Sequence, residues 1–402
     1  MKEKIILHSD ANNFFASCEC ATKPELKNKP VAVAGNPEKR TGIILAKNNL
    51  AKAKGVKTGE AIWIAQKKCP DLVCVAPHYQ LYETVSKQLH EIYLQYTDQV
   101  EPMGMDECWL DVTNSVKYLG MNGEEIANDI RQKVKDKLGI TVSVGVSFSK
   151  LFAKLGSDLK KPDATTILSK QNFKQKTYHL PINDIVGIGK QLNLKLEKIN
   201  VATVGDFVNL DTNYIAKNFG KVGIELQQKL KGEFDEPVAC YFDLAPPKSI
   251  GNGTTTITDI IAREDISKVV AFLCEKVADR MTETSYQGSC ITVSVKTNNF
   301  KVFQHSRTVL PMRSYEEIFS QAMKLLDSFW QYNQHIRSIR VNISTLEKID
   351  KQEQLTFFTM QPDNLSKTLN FVKNKYGSDK IFVASDKASF INRKSDDEPA
   401  PH

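Results

Sequence analysis

Apolar and polar positions alternate along the chain in blocks that can be assigned to elements before any chemistry is considered. Residues 4–9 (KIILHS) read as a buried strand ending at Asp10. A helical stretch with capping-type Asn12 and Asn13 follows and stops near Pro24. Strands are expected at 31–35 (VAVAG) and 43–46 (IILA), then helices over 48–54, 60–68 and 79–97. Residues 100–112 (VEPMGMDECWLDV) have the pattern of a hairpin whose second arm alternates around Trp109. A helix over 124–138, a strand at 141–146 and a Lys-bearing helix over 149–159 complete an α+β unit.

Residues 171–234 are helical by pattern, with a VGIG turn at 186–189. A Pro-containing connector then breaks the periodicity, and its Pro246-Pro247 pair favours an extended chain. Beyond it, a strand–helix–strand–strand–helix–strand order (250–258, 265–284, 290–298, 301–309, 314–330, 336–345) predicts a second α+β unit. The tail after 346 is polar except for aromatics at 355–358, and it ends in SDDEPAPH, a composition that favours disorder.

Composition narrows the class. At 402 residues the chain exceeds one ordinary core, and its 41% hydrophobic and 25% charged residues are those of a globular protein. No run approaches the roughly 18 apolar residues that span a bilayer, so no membrane role is expected. The opening MKEKIILHSD passes straight into a strand pattern, unlike a secretion signal. Eight cysteines lie scattered without a C-x-x-C pair, which points to a reducing cytoplasm and away from a zinc site. The net charge of +7 is compatible with nucleic acid without establishing it.

A strand ending in Asp and a distant hairpin bearing Asp106-Glu107 can bring three carboxylates to one sheet edge. Two-metal phosphoryl transfer needs such a cluster, because two cations about 3.5–4 Å apart clamp the attacking and leaving oxygens. Each motif alone could equally be a strand-end turn or an exposed hairpin tip. In context, HSDANNFFASCE followed by MGMDECWLDV resembles the metal-binding motifs of the Y-family DNA polymerases, nearest to the bacterial polymerase IV and UV-mutagenesis branch. The resemblance continues in order through PVAVAG, AKAKGVKTGEA, VSVGVSFSKLFAKLGSDLKKP and IVGIGK, and covers about residues 5–345.

The resemblance implies a multidomain α+β fold with an antiparallel-rich palm sheet. Palm and fingers would occupy 1–170 (fingers about 25–75), and a helical thumb with a helix-hairpin-helix would occupy 171–235. A linker at 236–248, a little finger at 249–345 and a tail at 346–402 would follow. It implies an error-prone, lesion-bypassing DNA polymerase working on primer-template DNA and dNTPs, as a monomer in the cytoplasm. Asp10, Asp106 and Glu107 would hold two Mg²⁺, with Mn²⁺ able to substitute, and the Ala11 carbonyl would assist. The amides of Asn13 and Phe14 would cradle the triphosphate at a helix start, with Lys47, Lys52 and Lys161 on its phosphates. Ala46, Asn49 and Lys52 depart from the hydroxyl, Tyr and Arg that many relatives carry. Phe15 would be the steric gate against a 2′-hydroxyl, although one of the adjacent Phe14 and Phe15 could be plain core.

Further along, IVGIGKQLNLKLEKINVATVGDF resembles a helix-hairpin-helix in which Gly187 and Gly189 let amides meet a DNA phosphate. Lys150 and Lys154, and in the second unit Lys248, Lys296, Lys301 and Arg307, are candidate DNA contacts. The peptide QLTFF, with Gln354, Leu355, Phe357 and Phe358, looks like a bacterial sliding-clamp-binding motif, or an aromatic pair folding back on the protein. A nucleotide cyclase also clusters carboxylates on a similar sheet but needs neither the helix-hairpin-helix nor the clamp peptide. A non-catalytic DNA-binding relative would have lost its metal ligands, and all three remain.

Overall fold

The computed structural model describes residues 3–36, 42–234 and 236–349. They form two compact units, one running through Gly35 and from Ile43 to Leu244, the other beginning at Ala245.

The first unit opens with β1 (Ile6–Ala11) and α1 (Phe14–Thr22). Then come β2 (Val31–Ala34), β3 (Ile44–Lys47), α2 (Asn49–Ala53), α3 (Ile62–Lys68), β4 (Val73–Val75) and α4 (Tyr79–Tyr93). The unit continues with β5 (Val100–Pro102), β6 (Glu107–Asp111), α5 (Ser115–Leu119), α6 (Gly123–Leu138), β7 (Val142–Ser147), α7 (Lys150–Leu159) and β8 (Thr165–Leu168). Four helices close the unit: α8 (Phe173–Thr177), α9 (Lys190–Glu197), α10 (Val204–Val208) and α11 (Thr212–Lys231).

Strand β1 is central in a five-stranded sheet ordered β5-β6-β1-β7-β8, antiparallel to both neighbours. All six of its residues are buried because helices cover both faces of the sheet. Side chains alternate between faces along a strand. Leu7 and Ala11 therefore join the core built by α4 and α6, and the Ser9 hydroxyl meets the Tyr93 hydroxyl at 3.0 Å. Ile6, His8 and Asp10 turn to the opposite face, where Ile6 packs against Ala153 of α7.

Helix α7 reaches that face because Gly145 of β7 has no side chain. A Cβ there would stand 1.9 Å from the Ala153 carbonyl oxygen and 2.6 Å from the Ser157 amide nitrogen. Gly145→Ala should therefore destabilise the protein by about 3 kcal/mol or more, since backbone must move to admit one methyl. A urea-unfolding midpoint within error of wild type would contradict this reading of the contact.

A smaller sheet, β3-β2-β4, packs with α2 and α3 around Ala32, Ile44, Ala51 and Ile62. Helices α8–α11 share a separate core centred on Phe152, Phe173, Leu196 and Phe207.

The connector expected over 236–248 is not a free linker. As far as Leu244 it belongs to the first unit. Val238 is buried beside Ile6 and Ala153, the Ala239 amide donates to Glu101, and the Tyr241 amide donates to the Asp98 carbonyl. Strands β4 and β8 and helix α5 escaped the pattern reading, and α4 ends four residues earlier than the expected 97.

The second unit contains β9 (Ser249–Ile260), α12 (Arg263–Thr284), β10 (Tyr286–Thr297), β11 (Val302–Met312), α13 (Tyr315–Phe329) and β12 (Ile336–Lys348). Its four strands, ordered β11-β10-β12-β9, are all antiparallel. Ile291, Val293 and Val295 bury one sheet face against α12 and α13. Thr292, Ser294 and Lys296 alternate onto the other face, which no helix covers among the described residues. No helix of the described residues is long and apolar enough to cross a membrane.

Candidate active site

Register brings the first two carboxylates together: Asp10 of β1 lies opposite Glu107 of β6. Residues directly opposite in an antiparallel pair project to the same face. The Ala11 amide donates to the Asp106 carbonyl at 2.9 Å, tying the 103–106 turn to the end of β1. Gly104 gives that turn its positive φ of 86° and leaves room beside the Asp106 carboxylate.

Two ammonium groups enter this acidic cluster. Lys154 Nζ lies 2.5 Å from Glu107 Oε2 and 3.3 Å from Asp10 Oδ2, and Lys161 Nζ lies 2.8 Å from Asp10 Oδ2. Asp158 meets both lysines, at 3.5 and 2.9 Å. Lys161, expected on the triphosphate, lies among these carboxylates. Lys154 was expected on DNA phosphate, and its 11% exposure together with these contacts places it among the carboxylates instead. Lys150, also expected on DNA, pairs with Glu101 at 2.6 Å and lies over the Trp109 ring.

His8 was not anticipated. It is fully buried, its Nδ1 lies 2.9 Å from Ser157 Oγ, and its Nε2 lies 3.3 Å from Glu107 Oε2. Ser157 Oγ already donates to the Lys154 carbonyl, so it accepts from Nδ1–H. Burial lowers the His8 pKa, while the Glu107 carboxylate at Nε2 opposes that shift. The signal in the sequence was its spacing: two residues before Asp10 on one strand means the same face.

As they lie, no three His, Cys, Asp or Glu side chains among the described residues form a ready metal cage. The donor set nevertheless fits a hard divalent cation. It is entirely oxygen, and such ions require carboxylate and carbonyl ligands. Burial pushes the Asp106 carboxyl up to about 6, and the negative charges of Asp10 and Glu107 add to this. The positive charge of Lys154 offsets these effects only in part. Glu107 is held low because His8 and Lys154 outweigh its burial.

A cavity of about 540 Å³ opens beside the cluster, lined by Asp10, Asp106, Glu107, Phe15, Lys47 and Lys161 among others. Asn13 has left-handed backbone angles and its side chain makes no capping bond. Its Nδ2 instead donates to Asn49 Oδ1 at 2.9 Å, joining α1 to α2. The first intrahelical bond of α1 runs from Ser17 to Asn13, so the amides of Phe14, Phe15 and Ala16 have no acceptor within the helix.

The adjacent phenylalanines divide as their positions allow. Phe14 is 3% exposed and belongs to the core, whereas Phe15 is half-buried and its ring stacks on Tyr82 at 4.3 Å. Lys47 lines the cavity and contacts Thr58 at 3.0 Å, and burial together with the nearby Lys52 lowers its pKa. Lys52 itself is exposed on α2 and does not line the cavity.

Among the DNA candidates, Gly187 has φ 92°, which only glycine adopts readily, whereas Gly189 has an ordinary φ of −79° as the residue before α9. The Gly187 turn and α7 border a second cavity of about 500 Å³. In the second unit, Lys296 lies on the open sheet face. Arg307 does not: it pairs with Ile291 and so shares the helix-covered face, exposed at the edge strand. Arg340, unmentioned in the sequence reading, pairs with Ser294 and stands on the open face. Lys248 and Lys301 are exposed beside strand ends. Gln354, Leu355, Phe357 and Phe358 lie outside the described residues.

Residues 9–158 match the impB/mucB/samB family, and residues 247–357 match that family's C-terminal domain. A DNA polymerase IV of Acetivibrio thermocellus is 40% identical over 358 residues, covering 89% of this chain and 90% of the relative. A DNA polymerase IV 2 of Halalkalibacterium halodurans is 33% identical, covering 99% and 98%. A solved Y-family DNA polymerase chimera matches with TM-score 0.77 and 25% identity, covering 86% of this chain and all of the other.

Proposed function

Because the chain belongs to the Y-family DNA polymerases, of the bacterial polymerase IV kind, and is a translesion DNA polymerase, we propose that Asp10, Asp106 and Glu107 are its catalytic carboxylates. The enzyme is metal-dependent and acts on primer-template DNA and deoxynucleoside triphosphates. The observation that carries the assignment is the register of Asp10 opposite Glu107, with Asp106 short of countercharge beside them.

Asp10, Asp106 and Glu107, helped by the Ala11 carbonyl, would hold two Mg²⁺, with Mn²⁺ as a substitute. When bound, these ions neutralise charge at the transferring phosphorus and lower the pKa of the primer 3′-hydroxyl. The chain's own groups then position the substrate and offset charge, and no nucleophilic side chain is required. The open amides at the start of α1 face the role of triphosphate cradle, assisted by Lys161 and Lys47. Lys154 and Lys161, paired with the carboxylates in this structure, would exchange carboxylate for phosphate oxygen as the triphosphate enters. The fully buried His8, hydrogen-bonded to Ser157, limits where the Glu107 carboxylate can move.

DNA would be held without sequence reading by the Gly187 turn in the first unit, and by Lys248, Lys296, Lys301 and Arg340 in the second. The enzyme would act as a cytoplasmic monomer that a sliding clamp recruits through Gln354, Leu355, Phe357 and Phe358. Replacing those four by Ala should leave single-nucleotide insertion intact without clamp and abolish stimulation by clamp, because tethering acts through effective concentration. Clamp stimulation that survives in a folded variant would mark the peptide as a chance match. Primer extension on damaged and undamaged templates, with and without clamp, tests the whole reading. Template-independent addition, or extension that persists with EDTA, would overturn it.

A further inference from the structure

Beneath the proposed sugar gate lies a buried polar network that the catalytic reading does not use. Glu19 sits on α1 one turn beyond Phe15, and its side chain is fully buried. Burying a carboxylate is costly unless donors surround it. Glu19 has three: the Tyr82 hydroxyl at 2.6 Å, His78 Nδ1 at 2.7 Å and Lys23 Nζ at 2.9 Å. Tyr82 is also fully buried, and its ring lies 4.3 Å from that of Phe15 at an interplanar angle of 13°. Tyr79 meets Phe15 edge-on at 5.9 Å. The far side of Phe15 borders the cavity that also contains Asp10 and Lys161.

A ring can exclude a hydroxyl only if it does not yield. The group to be excluded is a single hydroxyl, so a modest displacement of the ring would admit it. Stacking alone is weak and permits sliding. A hydrogen bond to an ionised carboxylate is stronger and directional. The Tyr82 phenol is fixed in this way, and its ring is the surface on which Phe15 rests.

We propose that Glu19 is a positioning residue for sugar discrimination, holding Tyr82 and through it the plane of Phe15. This rests on the reading of Phe15 as the gate. Glu19 touches no substrate. Its effect passes through two aromatic rings, and so does its test.

The experiment compares single-turnover incorporation of a deoxynucleotide and its ribonucleotide opposite one template base. Tyr82→Phe keeps the ring and removes the hydroxyl, and the preference for deoxynucleotide should fall about fivefold, in keeping with loss of one charge-assisted hydrogen bond. Glu19→Ala should lower it about tenfold, and Glu19→Gln should restore part of the loss because its carbonyl can still accept from Tyr82. In a Phe15→Ala background each change should add less than about twofold, the signature of residues acting through one group.

If Phe15→Ala alone leaves sugar selection intact, the gate reading fails. If Phe15→Ala relaxes selection while folded Tyr82→Phe and Glu19→Ala keep the wild-type ratio, the gate stands and the role of Glu19 is overturned. Undiminished effects in the Phe15→Ala background would also overturn it. Should Glu19→Ala fail to fold, Tyr82→Phe decides the question alone.

Discussion

Asp106→Ala is expected to lower the single-turnover rate of nucleotide incorporation by about three orders of magnitude or more, with little change in affinity for primer-template DNA. The carboxylate sits beside Asp10 and Glu107, and unlike them it has no lysine within ion-pair distance among the described contacts. On the proposed reading, its charge is met by a cation that enters with the substrate. Losing it removes stabilisation where charge develops at phosphorus, which affects the chemical step and not ground-state binding. DNA affinity should survive because its proposed determinants, the Gly187 turn and the basic residues of the second unit, are elsewhere. Folding should survive as well. Removing one of three clustered acids relieves like-charge repulsion, so the metal-free Tm should not fall. Turnover above about a tenth of wild type would remove Asp106 from the proposed machinery.

Phe15→Ala should raise the relative use of ribonucleotides by about a hundredfold, with a much smaller change for deoxynucleotides. The half-buried ring, stacked on Tyr82 at the cavity wall, is the observation behind this expectation. Phe14 serves as an internal control. At 3% exposure it is core, and its truncation should cost stability through a cavity, by about 3 kcal/mol or more, without a matching change in sugar choice. Competition between a deoxynucleotide and its ribonucleotide in single-turnover reactions measures the ratio. Relaxed selection in Phe14→Ala with normal selection in Phe15→Ala would reverse the assignment of the two rings.

What could be read from the chain, and what could not, follows from the range of the interactions. The strand ending at Asp10 and the hairpin carrying Asp106-Glu107 are local patterns, and the pairing of Asp10 with Glu107 needed only these two motifs to meet. His8 was within reach of the same reasoning, since strand periodicity puts it on the face of Asp10. Lys154 was not. Its position among the carboxylates depends on how closely α7 lies against β7, and Gly145 decides that distance through a contact invisible to periodicity. The Lys150 contacts with Glu101 and Trp109 were equally out of reach of local pattern, because the three residues come from distant segments.

Short parallel partners were lost for another reason. β4 and β8 have three and four residues, too few for alternation to register, and each pairs in parallel with an earlier strand. In β11 most side chains on both faces are exposed, so polarity could not tell which face Arg307 would take. The connector after α11 looked like a linker from its prolines, yet Val238 and Tyr241 anchor it to the palm before Pro246 is reached. Glu19 and Tyr82 are far apart in sequence, and only the packing of α4 against α1 joins them.

The central claim is that Asp10, Asp106 and Glu107 together hold the cations of catalysis. Its most direct test is a Mn²⁺-binding titration, read by electron paramagnetic resonance, on a complex of the protein with a 3′-deoxy-terminated primer-template and the next complementary nucleotide. About two tightly bound ions per wild-type complex, with at least one lost in Asp106→Ala and in Asp10→Ala, is the result expected of a two-metal site built from these residues. An unchanged number of ions, bound with unchanged affinity, in both variants would contradict it.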